Sequence, residues 1–142
     1  MAAFDLDRLV LDYLYGRLNT PYVWGAHGIY YDCSGLVVET LKMRGWVSNS
    51  FDANSHTLFN MTMSGGTLKP KAHCFAFYGT KQRITHIAYC ISDSHVIEAA
   101  GGGSSTTSLE AAVKDGAMVR VRPIYYRKDL IAIHLPDKSH SV

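Results

Sequence analysis

No stretch of this chain approaches the roughly 18 apolar residues of a membrane-crossing helix, and no block of like charges stands out. Its 14 Lys and Arg against 12 Asp and Glu leave a formal charge of +2. That is too small to argue for a nucleic-acid partner, and only Arg120, Arg122, Arg127 and Lys128 group loosely. Cysteine is scarce: Cys33, Cys74 and Cys90 are an odd set that cannot all pair internally. At least one thiol is therefore free or bridges to another molecule, and 142 residues suffice to fold without staples. Metal and phosphate signatures are missing too. Cys33, His73 and Cys74 offer no C-x-x-C or H-E-x-x-H spacing, and the glycines at 101–103 follow no G-x-x-x-x-G-K-[ST] pattern. The opening MAAFDLDRLVLDYL sets Asp5, Asp7 and Arg8 among apolar residues, unlike a secretory signal. No signal peptide and no membrane span are expected.

What is present is ordinary globular usage, 47% apolar and 18% charged, which suits one domain over residues 1–142 with 136–142 as a flexible tail. Leu6, Leu9, Val10, Tyr13 and Leu14 recur at spacings of three and four, which predicts a first helix ending near Gly16 or Arg17. A second helix runs from about Cys33 to Arg44, with Asp32 at its N-cap and Gly45 closing it. Residues 46–67 read as a short helix followed by a loop. After Pro70 the pattern changes to short β-like runs at 74–78, 84–91, 95–99, 118–124 and 129–135, with one or two helical turns at 109–114. Helices first and antiparallel strands afterwards indicate an α+β fold with the helices on one face of the sheet.

Cys33 admits two readings. A free cysteine is commonly a small buried hydrophobe; at a helix N-terminus it is also placed to react as a thiolate, because unpaired N–H groups and the helix dipole favour an anion. The search for a base separates them. Of the seven histidines, His27, His56, His73, His95, His134 and His140 read as surface or packing residues. His86 opens an alternation in which His86, Ala88 and Cys90 share one strand face and Ile87, Tyr89 and Ile91 the other, and a polar, small-residue face suits a cleft. If Ser92-Asp93-Ser94 turns the chain, Ala88 faces Glu98 and His86 is its diagonal neighbour, within reach of a long side chain. Glu98 then supplies the acceptor that a catalytic imidazole needs. An edge strand facing water is the other account of Glu98, and His95 is the next candidate for the third polar group. Trp24 and Trp46 read as packing residues, and Tyr125-Tyr126 as core or rim.

The blocks Tyr22-Val23-Trp24-Gly25, Asp32-Cys33-Ser34-Gly35-Leu36-Val37, Thr85-His86-Ile87-Ala88-Tyr89 and Val96-Ile97-Glu98-Ala99, in this order, resemble the NlpC-type family of papain-like bacterial cell-wall cysteine peptidases. The resemblance implies a papain-like core with Cys33 as nucleophile, His86 as general base and acid, and Glu98 as the third, orienting group. Tyr22 would support the oxyanion or the substrate. Asp32, Ser34 and Trp24 would join it in binding substrate. The implied substrates are peptidoglycan stem peptides, commonly cut between γ-D-glutamate and a diamino acid, with no metal or organic cofactor.

Three departures stand out. Ala26 replaces a second glycine, Pro70-Lys71-Ala72-His73-Cys74 replaces a Pro-Gly-Asp turn, and Glu98 stands where histidine is frequent. Two other functions fit the same residues: a non-catalytic structural or wall-binding module of a phage tail or secretion assembly, and an acyltransferase or amidase with a different acceptor. The expected route is synthesis in the cytoplasm and delivery to the wall by a virion or other assembly.

Overall fold

A computed structural model describes residues 5–26, 31–67, 69–101 and 105–141. Helix α1 spans Leu6–Gly16, opened by the Asp5 side chain accepting the Arg8 N–H, and buries Val10 and Leu14. Helix α2 spans Cys33–Met43 and buries Leu36, Val37, Val38 and Leu41. Helix α3, Ser55–Met61, is capped by Asn54 accepting the Thr57 N–H. Each starts where a short polar side chain satisfies an amide that the helix cannot.

Strands β1 (Gly66–Thr67), β2 (Phe75–Gly79), β3 (Ile84–Cys90), β4 (His95–Ala100), β5 (Met118–Pro123) and β6 (Leu130–His134) form one antiparallel sheet in the order β1-β6-β2-β3-β4-β5. Helix α4, Leu109–Asp115, connects β4 to β5. Two-residue side-chain alternation divides the strands between two apolar clusters. Phe75, Phe77, Ile87, Tyr89, Ile97 and Val119 pack with α1, α2 and α3. Cys74, Ala76, Tyr78, Ala88, Cys90 and Val96 pack on the opposite face with Ile124 and Ile133. The helices thus cover one face of the sheet, as the order of patterns predicts.

The second face departs from expectation. Ala88 and Cys90, expected to line a cleft with His86, are fully buried, because Ile124 and Ile133 cover that face. Only its His86 end opens. There the β2–β3 register slips between Tyr78 and Gly79, with Tyr78 opposite His86 and Gly79 opposite Ile84. Thr85 is the extra residue of this bulge and is exposed between buried neighbours, the re-aiming that bulges produce. Gly79 has φ 136°, and a Cβ there would meet the Arg83 carbonyl at 2.6 Å, so the bulge depends on glycine.

Two further departures lie near the C-terminus. Gly66–Thr67, expected in a loop, pairs with His134 and Ile133 of β6; two residues are too few to show alternation. Within the expected flexible tail, Lys138–His140 forms a 3₁₀ turn capped by Asp137. His140, read as a surface or packing residue, is buried, its Nε2 2.8 Å from Ser64 Oγ.

Candidate active site

Cys33 is the first residue of α2, and what holds it there is Asp32. One carboxylate oxygen accepts the Gly35 N–H at 2.7 Å and the Ser34 hydroxyl at 3.4 Å; the other accepts the Gly25 N–H at 2.9 Å. The cap therefore also ties the Trp24-Gly25 turn to the helix, and Gly25 adopts the left-handed region at φ 78°. Burial raises the Asp32 pKa against the pull of these three bonds. Ser34 is buried beneath the helix start.

The imidazole comes from the sheet. Tyr89 pairs with Ile97 and Cys90 with Val96; continued one residue, that register sets Ala88 opposite Glu98 and His86 on the diagonal. His86 Nε2–H donates to Glu98 Oε1 at 2.8 Å, and both side chains are almost wholly withdrawn from solvent. Burial works against a charged His86, but the influence of Cys33 and then of Glu98 prevails and pushes its pKa up to about 9. Burial likewise works against a charged Glu98, and His86, Tyr126 and Arg127 together bring its pKa below the ordinary value. The two shifts favour the charged forms of both partners, and the Cys33 thiol lines the same cavity as the imidazole.

Two cavities meet at Cys33. One, of about 430 Å³, runs past Trp24, Asp32, Ser34, Asp52, Asn54 and Thr57; the other, of about 340 Å³, runs past Tyr22, Trp24, His86, Tyr126 and Arg127. Cys33, Trp24 and Thr85 line both. Trp24, which reads as a packing residue, is 52% exposed and stands as a wall between them. Tyr22 is buried, and its hydroxyl pKa is raised by burial, then by Cys33 and Asp32. Ala26 is absent from the lining of either cavity among the described residues. A group able to leave a carbonyl bound at Cys33 would have His86 beside it as proton donor and room on both sides for chain.

The other candidates lie elsewhere. His95 is exposed and bonded to the neighbouring Ser94 hydroxyl. His56 accepts the Ile84 N–H, and His134 is buried against Phe59 and Phe77. His73 has φ 75° in the turn that replaces Pro-Gly-Asp, remote from the cavities at Cys33. His27, and all but Gly101 of the glycine run at 101–103, lie outside the described residues. Cys74 and Cys90 are buried free thiols. Among the described residues no three His, Cys, Asp or Glu side chains converge as a metal-binding group.

Sequence reasoning missed Thr85, exposed by a bulge, and the Asp52–Thr57 wall. It also missed Tyr126, whose hydroxyl donates to Glu98 Oε2 at 2.6 Å across 28 residues. The adjacent tyrosines were the only signal, and they equally fit a core.

The sequence profile of the NlpC/P60 family matches residues 19–123. No curated protein matches the chain. Solved structures do. A lipoprotein-like NLP/P60 protein from Staphylococcus aureus is 17% identical with a TM-score of 0.65, over 96% of this chain and 44% of that one. The NlpC/P60 domain of the peptidoglycan hydrolase SagA is 20% identical with a TM-score of 0.63, over 90% of this chain and 97% of that one. The peptidoglycan hydrolase RipB from Mycobacterium tuberculosis is 18% identical with a TM-score of 0.62, over 91% and 63%. At these identities the likeness is one of fold. The chain spans less than half the length of the staphylococcal protein.

Proposed function

Because the chain belongs to the NlpC/P60 family, we propose that it is a cysteine peptidase that hydrolyses an amide bond in peptidoglycan stem peptides, between γ-D-glutamate and a diamino acid, through an acyl-enzyme on Cys33. The observation that carries this reading is the buried His86, held by Glu98 at 2.8 Å and lining the same cavity as Cys33, at which a second cavity joins.

Cys33 Sγ attacks the carbonyl carbon, and the tetrahedral oxyanion is held by the Cys33 backbone N–H at the helix start and the Tyr22 hydroxyl. As the C–N bond breaks, the nitrogen of His86 that is not bonded to Glu98 passes its proton to the leaving amine. The neutral imidazole then takes a proton from water, whose oxygen attacks the thioester and frees the carboxylate product. Glu98 orients the ring and stabilises its charged form. Tyr22, Trp24, Asp32 and Ser34 shape the walls that position the stem peptide. Supporting this reading, SagA and RipB, which share the fold, are peptidoglycan hydrolases.

The test is mass spectrometry of peptidoglycan fragments after incubation with the wild type and with Cys33→Ala. New termini at γ-D-glutamate in the wild type alone are expected; identical fragment patterns on walls of differing diamino acid would refute it.

A further inference from the structure

Glu98 has two carboxylate oxygens and only one faces His86. The other is taken by the Tyr126 hydroxyl at 2.6 Å, the shorter of the two contacts. Tyr126 is not free to wander. It ends a 3₁₀ turn, Ile124–Tyr126, which is pinned at both backbone groups of Ile124: its N–H donates to the Ser94 carbonyl at 2.9 Å, and its carbonyl accepts the Tyr78 hydroxyl at 2.8 Å. The Tyr126 ring lies under the Arg122 guanidinium at 5.1 Å and beside the Tyr78 ring at 6.4 Å. Tyr78 in turn packs against His86 at 5.5 Å between centroids. The phenol is thus built into the sheet end that holds the imidazole.

We propose that Tyr126 is a positioning residue for the reaction, a fourth member of the Cys33–His86–Glu98 series that fixes the Glu98 carboxylate and sets how strongly it holds the His86 proton. The proposal rests on the reading of Cys33 and His86 as the reacting pair. A buried carboxylate with one oxygen unbonded would be costly and free to rotate about its last torsion. A charge-assisted hydrogen bond from a fixed phenol removes both problems. It also draws electron density away from the oxygen facing His86, so the bond tempers the pull of Glu98 on the imidazolium. Burial and then Glu98 itself keep the Tyr126 hydroxyl protonated far above neutral pH, so it remains a donor throughout the working range.

The other charges around Glu98 do not supply this role. Arg120, opposite on β5, gives its guanidinium to the Gly116 carbonyl at 2.8 Å. Arg127 lies over the Tyr78 ring at 5.2 Å and is engaged by both carboxylate oxygens of Asp129. It favours a charged Glu98 through space, as the smallest of the contributions. Arg122 covers the Tyr126 ring rather than the carboxylate.

The test is Tyr126→Phe, which keeps the ring, its packing and the arginine above it. The His86 titration is followed by NMR of the imidazole in the free protein, and its fold is checked by the same spectra. Removing the phenol should leave Glu98 a stronger base and move the His86 midpoint up, whereas Glu98→Gln should move it down. In the Glu98→Gln background the Phe substitution should shift nothing, since there is no carboxylate to act through. With stem-peptide substrate, kcat should fall by about tenfold, the scale of one hydrogen bond to a charged group, with KM nearly unchanged and the basic limb of the rate profile raised. An unchanged His86 midpoint in folded Tyr126→Phe would overturn the proposal. So would a shift that persists in the Gln background. If the variant does not fold, the wild type decides: a slowly exchanging, low-field Tyr126 hydroxyl proton that disappears in Glu98→Gln is expected, and a freely exchanging one overturns the proposal. The titration needs no substrate, so failure to cleave any wall leaves it standing as an independent result.

Discussion

At one end of the sheet His86 sits with Glu98, Tyr126 and the Cys33 thiol; between α1, α2 and the start of β2, His73 sits with Asp7, Tyr89 and Arg44. The parts are nearly the same, and the histidines go opposite ways. His73 Nδ1 is 2.7 Å from the Tyr89 hydroxyl and 3.2 Å from the Arg44 guanidinium. Its carboxylate, Asp7, is 3.9 Å away, 60% exposed and already bonded to Arg44 at 2.7 Å. Burial lowers the His73 pKa, Arg44 lowers it further, and Asp7 does not compensate. Glu98 is 2.8 Å from His86 and fully buried, and against its burial Cys33 and then Glu98 lift the His86 pKa to about 9. The direction of each shift follows the distance and burial of the carboxylate and whether the third neighbour is a guanidinium or a thiol, not the residue list.

The sharpest way to break the comparison is to delete one histidine at a time. Cys33→Ala and His86→Ala should each abolish turnover of peptidoglycan fragments with the circular dichroism spectrum intact. For His86 the loss should reach or exceed the 10²–10⁴-fold or so typical of a positioned acid–base group. His73→Ala should cleave at the wild-type rate. A His73→Ala enzyme as dead as His86→Ala would erase the distinction between the clusters.

A smaller effect separates charge from orientation. Glu98→Gln keeps an acceptor oxygen and loses the negative charge, so the rate should fall less than in His86→Ala. The basic limb of the rate profile, expected near pH 9 in the wild type from the raised His86 pKa, should move down. Glu98→Ala should cost more, because the ring then has no acceptor. Wild-type rate and pH dependence in Glu98→Ala would mean that this carboxylate does not hold the imidazole during turnover.

The thiols give a comparison of their own. Burial pushes the Cys74 thiol up and the Cys90 thiol up to about 12, and both are inaccessible, whereas Cys33 is half-buried in the cleft beside His86. Iodoacetamide at about pH 6 should therefore alkylate Cys33 first in the native protein. Peptide mapping that finds all three labelled equally would count against an activated Cys33.

The smallest effects are on stability. The raised His86 pKa adds stability that is full below the ordinary histidine pKa of about 6.5 and is lost as the pH climbs through about 9. The lowered His73 pKa does the reverse, costing stability as the pH falls below about 6.5. Urea midpoints against pH should show His86→Ala flattening the alkaline side and His73→Ala the acid side. Asp7→Asn should change stability by less than about 1 kcal/mol, since an ion pair with so exposed a partner is largely screened.

The sequence by itself determined what is local or repeats at a fixed interval. The stripe Leu6 to Leu14 and the cap at Asp32 set α1 and the start of α2, because caps and helical faces depend on residues three or four apart. The two-residue alternation and the Ser92-Asp93-Ser94 turn set a hairpin whose register places Glu98 diagonal to His86, because a tight turn fixes the pairing on either side of it. The nearness of Cys33 to His86 was not readable in this way; only resemblance to a family suggested it. Tertiary structure alone decided the rest: the burial of Ala88 and Cys90 beneath Ile124 and Ile133, the exposure of Thr85 by a slipped register, the docking of His140 on Ser64, and the phenol of Tyr126 on Glu98. These contacts join segments far apart in the chain, and hydrophobic burial, which is blind to sequence separation and direction, selects them only when the whole core closes.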